Sequence, residues 1–156
     1  MTISTSALQQ KNAKHLIQSF SDLSYINKPE ETHIISRADG VYIYDNDGKK
    51  ILDSMSGLWC VNMGYGQKSI IEAVNEQMKE LVYYNNFFGT SHPSAIKLSE
   101  MIADKTPSGM NKVYFCGSGS EANDTVVRLA RHYWAAKGKP SKSVIISRKN
   151  AYHGST

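Results

Sequence analysis

The sequence has little cysteine and no long apolar run, and each shortage excludes a class of protein. Among 156 residues there are 2 cysteines, Cys60 and Cys116, too few and too far apart for a disulfide framework or a cysteine-based metal site. No apolar stretch approaches the roughly 20 residues that a membrane-spanning helix needs. Residues 1–10 are polar and lack the charged start and apolar core of a secretory signal. We therefore expect a cytoplasmic protein with reduced thiols, no metal site and no membrane partner.

Concentrated positive charge and the common nucleotide-binding motifs are also missing. The net charge is +4, but the basic residues are scattered and form no stripe interleaved with aromatics, so nucleic acid is not an expected partner. No glycine-rich turn carries Gly-Lys-Ser/Thr, and none has the pattern Gly-x-Gly-x-x-Gly. The content of 40% hydrophobic and 21% charged residues is typical of an ordinary globular domain.

After residue 32 the sequence has the pattern of a β-meander. Three short strand-like runs are separated by Asp39-Gly40 and Asp47-Gly48, and Asp-Gly is a strong tight-turn signal. The runs are residues 33–37, 41–45 and 49–53. They predict a three-stranded antiparallel meander, which is too small to bury much and should lean on a larger body. Residues 14–20, ahead of the meander, are compatible with a helix or with a mobile tail.

Three helices are predicted from apolar periodicity and from start and stop signals. The first runs from Ser69 to Leu81, with Ser69 and Glu72 spaced as a capping box. The second starts at His92-Pro93, with proline in the first turn, and continues to about residue 105. The third runs from about residue 120 to about residue 137, where glycine and proline end it.

The most informative stretch is residues 113–124, Val-Tyr-Phe-Cys-Gly-Ser-Gly-Ser-Glu-Ala-Asn-Asp. A strand-like run at 112–116 stops at a Gly/Ser turn, and the third helix begins at once. Unpaired N–H groups at a helix N-terminus, glycine without a side chain and serine hydroxyls together suit a phosphate. Ser118 and Glu121 also have the spacing of a capping box, so a helix cap and an anion site are both open at this point.

A second strand-like run, residues 143–147, follows the third helix and completes a βαβ pattern. Parallel strands joined by a right-handed crossover end at the same edge of a sheet. Ligands in such folds lie outside that edge. Tyr152 comes just past the second run, so we expect it to reach a group held by residues 118–120. A phosphate attached to an aromatic ring would use both features.

Two loops are richer in aromatic and apolar residues than a solvent loop usually is. Residues 54–66 include Leu58 and Trp59, which either pack in a core or face a ligand. Residues 82–90 include Phe87 and Phe88 in a dense aromatic run. Such a run needs cover from the core, from a ligand or from a second chain.

Together these stretches resemble the class III aminotransferases, which use pyridoxal phosphate. The resemblance rests on Gly-Ser-Gly-Ser-Glu-Ala-Asn-Asp at 117–124 and on Tyr-His-Gly at 152–154. Met-Ser-Gly-Leu-Trp-Cys-Val-Asn at 55–62 and Tyr-Asn-Asn-Phe-Phe-Gly-Thr-Ser-His-Pro at 84–93 resemble the ω-amino acid or amine:pyruvate branch. Gly117 departs from the Asn or Thr-like residue that is more usual in the family at that position.

The resemblance implies an α/β fold: the N-terminal part of fold type I, with a small antiparallel meander and the start of a large, mainly parallel-sheet domain. It divides the chain into a small-domain segment, residues 1–66, and an incomplete cofactor-binding domain, residues 67–156. It implies that the cofactor is held by Ser118, Gly119, Ser120, Tyr152, His153 and Gly154. It also implies a substrate pocket, built across a homodimer interface and lined by Leu58, Trp59, Phe87 and Phe88.

The implied reaction moves an amino group from an amine or ω-amino acid to a keto acid such as pyruvate. The family's Schiff-base lysine has no match among these 156 residues, so no catalytic residue is assigned. The chain is therefore expected to be an N-terminal fragment that is inactive alone. The alternative is a non-catalytic truncated chain that acts only as a phosphate-binding or dimer-interaction module.

Overall fold

The structure is a computed structural model that describes residues 3–22, 24 and 28–156. The chain divides into two compact units, Met1–Tyr83 and Tyr84–Thr156. The predicted division into domains at residue 66 is a separate matter and stays a prediction.

The first unit contains the meander that the sequence predicts. Strands β1 (Ile35–Asp39), β2 (Tyr42–Asp45) and β3 (Lys50–Leu52) form an antiparallel sheet in the order β1-β2-β3. Gly40 and Gly48 have positive φ in the two connecting turns, as the Asp-Gly signals require. Cations lie over tyrosine rings on this sheet, with the Arg37 guanidinium 3.5 Å from the centroid of Tyr44, its cross-strand partner. The meander prediction is therefore confirmed.

Helix α1 (Thr5–His15) packs near the meander and includes only the first two of residues 14–20, for which a helix and a mobile tail were both open. Those residues are not helical beyond His15. The helix forms earlier because the Ser4 hydroxyl accepts a hydrogen bond from the Ala7 N–H at 3.3 Å. Side chains then fix it to the β2–β3 turn, where the Thr5 hydroxyl donates to Asp47 at 2.6 Å.

Helix α2 is the short turn Ser56–Trp59. Helix α3 (Lys68–Glu80) follows it and forms close to the predicted place but without the predicted cap. The N-cap residue is Gln67, which makes no side-chain cap hydrogen bond. The Gln67 side chain instead donates to the Met63 carbonyl at 2.6 Å. Ser69 lies inside the first turn and so cannot serve as the N-cap, which makes the capping box predicted at Ser69 and Glu72 wrong.

The second unit contains two helices whose starts agree with the sequence to within a residue. Helix α4 (Pro93–Ala103) is capped by His92, whose Nδ1 accepts from the Ala95 N–H at 3.4 Å. Helix α5 (Gly119–Ala136) follows the Gly/Ser turn directly. Both helix predictions are confirmed.

The two segments predicted to be parallel strands, residues 112–116 and 143–147, are not strands. The meander is the only sheet among the residues described. A strand exists only with a hydrogen-bonded neighbour, and neither segment provides one for the other. Residue Ser143 instead accepts a hydrogen bond from Arg131 of α5 through its carbonyl, at 3.2 Å. The two parallel strands predicted at these segments are therefore absent from the described chain.

No hydrophobic residue among those described is buried. The helices are amphipathic, yet their apolar faces are open, as at Val74 of α3 (50% exposed) and Leu129 of α5 (59% exposed). Apolar area of this size is not stable in water when uncovered. The elements therefore need cover from protein beyond these 156 residues. In the described part, no helix is long and apolar enough to cross a membrane.

Candidate functional site

The N-terminus of α5 is capped by Ser118 and Glu121. Ser118 has extended backbone geometry, and its hydroxyl accepts from the Glu121 N–H at 3.2 Å. The Glu121 carboxylate accepts in turn from the Gly117 N–H at 2.6 Å. The capping box thus forms, although the acid reaches the amide one residue ahead of the N-cap rather than the N-cap amide itself.

The cap leaves the first amides of α5 available. Within the described chain, the N–H groups of Gly119 and Ser120 have no protein acceptor. The space beside Gly119 is open, because a Cβ placed there would meet no atom within 4 Å. Unpaired amides at the positive end of a helix dipole, beside a glycine with no side chain in the way, form an anion-binding geometry. The cap and the anion site are therefore compatible, since they use different amides.

The last residues of the chain are tied to the first two turns of α5 by three side chains. Ser120 Oγ accepts from the Ser155 N–H at 3.0 Å. The Asn123 amide donates to the His153 carbonyl at 2.8 Å. Asp124 accepts from the Thr156 hydroxyl at 2.6 Å. These three helix residues are spaced i, i+3 and i+4 and so lie on one face. We call this set of contacts the C-terminal latch.

Gly154 allows the latch to close. Its φ is +117°, which is a conformation that favours glycine. A Cβ at this position would lie 2.9 Å from both Cα and Oγ of Ser120. Any side chain would therefore push residues 152–156 away from the helix.

Tyr152 is brought to the same helix end and remains 72% exposed. Hydrogen bonding with Ser120, and to a lesser extent with Ser155, lowers the pKa of Tyr152 below its usual 10.0. The structure thus brings Tyr152, His153 and Gly154 together with Ser120. In the described chain the latch contacts make this convergence, and residues 112–116 and 143–147 are not strands. The roles of these residues in binding a cofactor stay predictions.

The segment with Leu58 and Trp59 is a left-handed helical turn, α2 (Ser56–Trp59). All four of its residues have positive φ. Left-handed geometry costs roughly 1–2 kcal/mol for each residue other than glycine. The turn is also tightly packed, since a Cβ on Gly57 would lie 2.6 Å from a methyl of Val61. Surrounding contacts must hold such a turn in place.

Asp53 supplies those contacts. Its Oδ2 accepts from the Gly57 N–H at 2.8 Å and from the Tyr65 hydroxyl at 2.7 Å. The bond from Tyr65 is the main reason that the pKa of Asp53 lies below its usual 3.8. The same bond raises the pKa of Tyr65 above 10.0.

Sequence analysis did not identify Asp53 or Tyr65. A signal was present, because Asp53 directly follows β3 and stands ahead of a glycine-containing loop. The pairing with Tyr65 has no local signature, since the two residues are 12 positions apart.

The four predicted substrate residues are exposed. Trp59 is 87% exposed and Leu58 is 68% exposed, so neither packs in a core within this chain. Phe87 and Phe88 lie at a loop tip with ring centroids 6.1 Å apart. That tip is fastened by Thr90, whose hydroxyl donates to the Phe87 carbonyl at 2.6 Å. Leu58 and Trp59 belong to the first unit, and Phe87 and Phe88 to the second, so a common pocket stays a prediction.

Metal-ligating side chains do not cluster anywhere in the described part of the chain. Cys60 and Cys116 are both unpaired and exposed.

Comparison with known proteins places these features in a family. A family model for class-III aminotransferases matches residues 25–156. The putrescine–pyruvate aminotransferase of Pseudomonas aeruginosa is 53% identical over 148 residues, which cover 95% of this chain and 32% of that protein. This chain thus spans about a third of the length of that relative.

Solved structures agree with this comparison. A thermostable (S)-enantioselective ω-transaminase from Thermomicrobium roseum superposes with a TM-score of 0.93 at 34% identity, covering 99% of this chain and 34% of that one. A thermostable ω-transaminase variant with a tryptophan replaced by glycine, engineered for asymmetric synthesis of enantiopure bulky amines, superposes with a TM-score of 0.90 at 37% identity. That alignment covers 96% of this chain and 33% of the variant.

The similar structures have fold type I, which confirms the predicted fold class. The matched region also includes both the Gly/Ser turn at the start of α5 and the latch that brings Tyr152 to it. The chain belongs to the class-III aminotransferase family.

Proposed function

We propose that this chain is the N-terminal part of a pyridoxal-phosphate-dependent transaminase. The enzyme moves an amino group from an amine or ω-amino acid to a keto acid such as pyruvate. One observation carries the proposal: the helix end with unpaired amides is also the end to which the latch fastens Tyr152. Family membership and the similarity to a putrescine–pyruvate aminotransferase support it.

The described residues fit the phosphate of the cofactor. The amides of Gly119 and Ser120 and the hydroxyl of Ser118 lie at the positive end of α5, and the space beside Gly119 is open. Ser118 accepts one hydrogen bond from Glu121, and its own O–H remains able to donate to an anion.

The segment that the latch holds against α5 suits the ring of the cofactor. Tyr152 offers an exposed aromatic face, and His153 and Gly154 follow it in the same segment. Stacking on an aromatic ring orients a flat ligand without forming a bond to it. The role of this chain is therefore to bind and orient the cofactor.

The cofactor, when bound, supplies the electron sink for the chemistry at the amine carbon. Transamination also requires a lysine that anchors the cofactor and moves a proton, and none of the lysines in these residues matches that position. The catalytic group is therefore not assigned to this chain.

We place Leu58, Trp59, Phe87 and Phe88 in the substrate pocket, at the interface of a homodimer. Their exposure supports this placement, because apolar side chains of this size need a ligand or a second chain to cover them. The tryptophan-to-glycine variant made for bulky amines supports a steric role for Trp59. The reduced, exposed cysteines fit a cytoplasmic enzyme.

The experiment that tests this function uses the full-length protein encoded by the gene. Adding pyridoxal phosphate should produce the absorbance band of the bound cofactor, and the protein should then transfer amino groups from putrescine to pyruvate. Pyridoxal, which has the same ring but no phosphate, is the matched control and should bind at least tenfold more weakly. Equal binding of the two compounds would contradict the phosphate site, and absence of any band would contradict the function.

A further inference from the structure

Among the described residues, the left-handed turn α2 is held to the meander through one residue, Asp53. The backbone N–H of Asp53 donates to the Val41 carbonyl at 3.0 Å, which fixes Asp53 beside the β1–β2 turn. Its carbonyl accepts from Ser56, the first residue of α2, at 3.2 Å. Its side chain binds the Gly57 amide and the Tyr65 hydroxyl. Asp53 thus contacts the start of the turn by both its backbone and its side chain.

Tyr65 is itself fixed from the other side. Its backbone exchanges two hydrogen bonds with Gly40, at 3.2 and 2.7 Å, in an isolated antiparallel bridge. Gly64 allows this close approach, since a Cβ there would lie 2.8 Å from the Gly40 carbonyl oxygen. The phenol of Tyr65 therefore reaches Asp53 from a backbone that the meander already anchors.

The far end of the turn has only local contacts. The Trp59 N–H donates to the Met55 carbonyl at 2.9 Å, and the Cys60 thiol donates to the Gly57 carbonyl at 3.0 Å. These bonds close the turn on itself but do not connect it to the meander. The orientation of Leu58 and Trp59 relative to the meander thus depends on Asp53.

We propose that Asp53 is a positioning residue that sets amine specificity by holding the strained turn on which Leu58 and Trp59 project. The inference rests on the proposed function, because it takes Trp59 to line the amine pocket. Asp53 does not touch the amine; it acts through the turn. Loss of the carboxylate lets the turn relax toward ordinary backbone geometry, which withdraws the indole and widens the pocket.

The test compares kcat/KM for a bulky aromatic amine and for putrescine in the full-length enzyme. Trp59→Gly should shift the ratio of the two values toward the bulky amine by at least tenfold. Asp53→Ala should shift the ratio in the same direction by at least fivefold. The matched control is Asp104→Ala, an exposed carboxylate at the end of α4, which should leave the ratio within twofold of wild type.

A double-mutant cycle separates positioning from a general structural defect. In the Trp59→Gly background, Asp53→Ala should change the ratio by less than twofold, because its effect passes through the indole that is already missing. Tyr65→Phe removes one donor and leaves the Gly57 bond, so it should give a smaller shift in the same direction. This milder variant also keeps the test decisive if Asp53→Ala fails to fold.

Two results would overturn the inference in distinguishable ways. If Trp59→Gly shifts the ratio but Tyr65→Phe and Asp53→Ala lower both kcat/KM values by equal factors, Asp53 is structural only and the pocket assignment survives. If Trp59→Gly itself leaves the ratio unchanged, the pocket assignment in the proposed function fails and the inference fails with it.

Discussion

Asp53 and Tyr65 are two ionisable residues joined by a hydrogen bond of 2.7 Å from the phenol to the carboxylate. Their hydrogen bond lowers the pKa of Asp53 and raises the pKa of Tyr65. The depressed pKa of Asp53 gives stability above pH 3.8 that is lost as the pH falls through its folded pKa. The raised pKa of Tyr65 gives stability below pH 10.0 that is lost as the pH rises through its folded pKa. The pair should therefore stay intact throughout the neutral range.

The hydrogen bond between Asp53 and Tyr65 predicts how Tyr65 ionises at alkaline pH. In the full-length enzyme labelled with ¹³C-tyrosine, Tyr65 should remain mainly neutral at pH 10.0, the usual pKa of tyrosine. In Asp53→Asn the negative acceptor is gone, so a larger fraction of Tyr65 should be ionised at the same pH than in the wild type. The NMR shift of the ring carbon next to the hydroxyl reports the ionised fraction. Identical titration of Tyr65 in the two proteins would contradict a charge-assisted bond.

At the scale of elements, the N-terminal turns of α5 and the latch are joined by hydrogen bonds. Each of the three latch contacts is a hydrogen bond of the kind that contributes about 0.5–1.5 kcal/mol. Their combined effect is to place the Tyr152 segment at a helix end with unpaired amides. A disturbance of the latch should therefore weaken cofactor binding before it unfolds the protein.

Gly154→Ala tests this coupling. The new Cβ would meet Ser120 at 2.9 Å and would also strain a residue at φ +117°. The affinity of the full-length enzyme for pyridoxal phosphate, measured by absorbance titration, should fall by about tenfold, since strain of this kind costs on the order of 1–3 kcal/mol.

Gly109→Ala is the matched control for that substitution. Gly109 also has positive φ, at +89°, but a Cβ there meets nothing within 4 Å. It should lower thermal stability through backbone strain while the cofactor affinity stays within twofold of wild type. Wild-type affinity in Gly154→Ala, or equal losses in both variants, would show that the latch does not position the cofactor site.

Helices were predictable from the sequence where the residues that start them lie close to one another along the chain. The starts of α4 and α5 follow from His92 and Ser118, whose side chains bond to amides three residues ahead. The cap at Ser69 was wrong because α3 begins at Lys68, which places Ser69 inside the first turn. The strands at 112–116 and 143–147 were wrong because pairing depends on a neighbour, and the sequence of a segment does not supply one.

At the scale of the whole molecule, the chain exposes more surface than a compact monomer of its mass. The chain exposes 13,701 Å². A compact monomer of its 17.4 kDa mass should expose only about 7,900 Å². Exposed apolar side chains lie on α3, α4 and α5 and in the two aromatic loops. Hydrophobic burial is the main favourable contribution to the free energy of folding. No hydrophobic residue among those described is buried, so these elements gain little of that contribution.

The isolated chain should consequently neither fold cooperatively nor catalyse. Purified as residues 1–156, it should show no sigmoidal transition in urea and no amine-to-pyruvate transfer, whereas the full-length enzyme should show both. Circular dichroism during urea titration and a pyruvate-dependent activity assay provide the measurements. Cooperative unfolding with phosphate binding but no transfer would favour a non-catalytic binding module. Measurable transfer would refute the proposal that catalysis requires a lysine outside these 156 residues.

The sequence alone determined the parts of this protein that depend on neighbours along the chain. It predicted the meander from its Asp-Gly turns, the helix after the Gly/Ser turn, and the family from four short motifs. Only the tertiary structure decided how distant residues meet. The latch joins Ser120 to Ser155 across 35 positions, and Asp53 holds a left-handed turn together with Tyr65. Such contacts depend on closure of the loops between them, and no local propensity records that geometry.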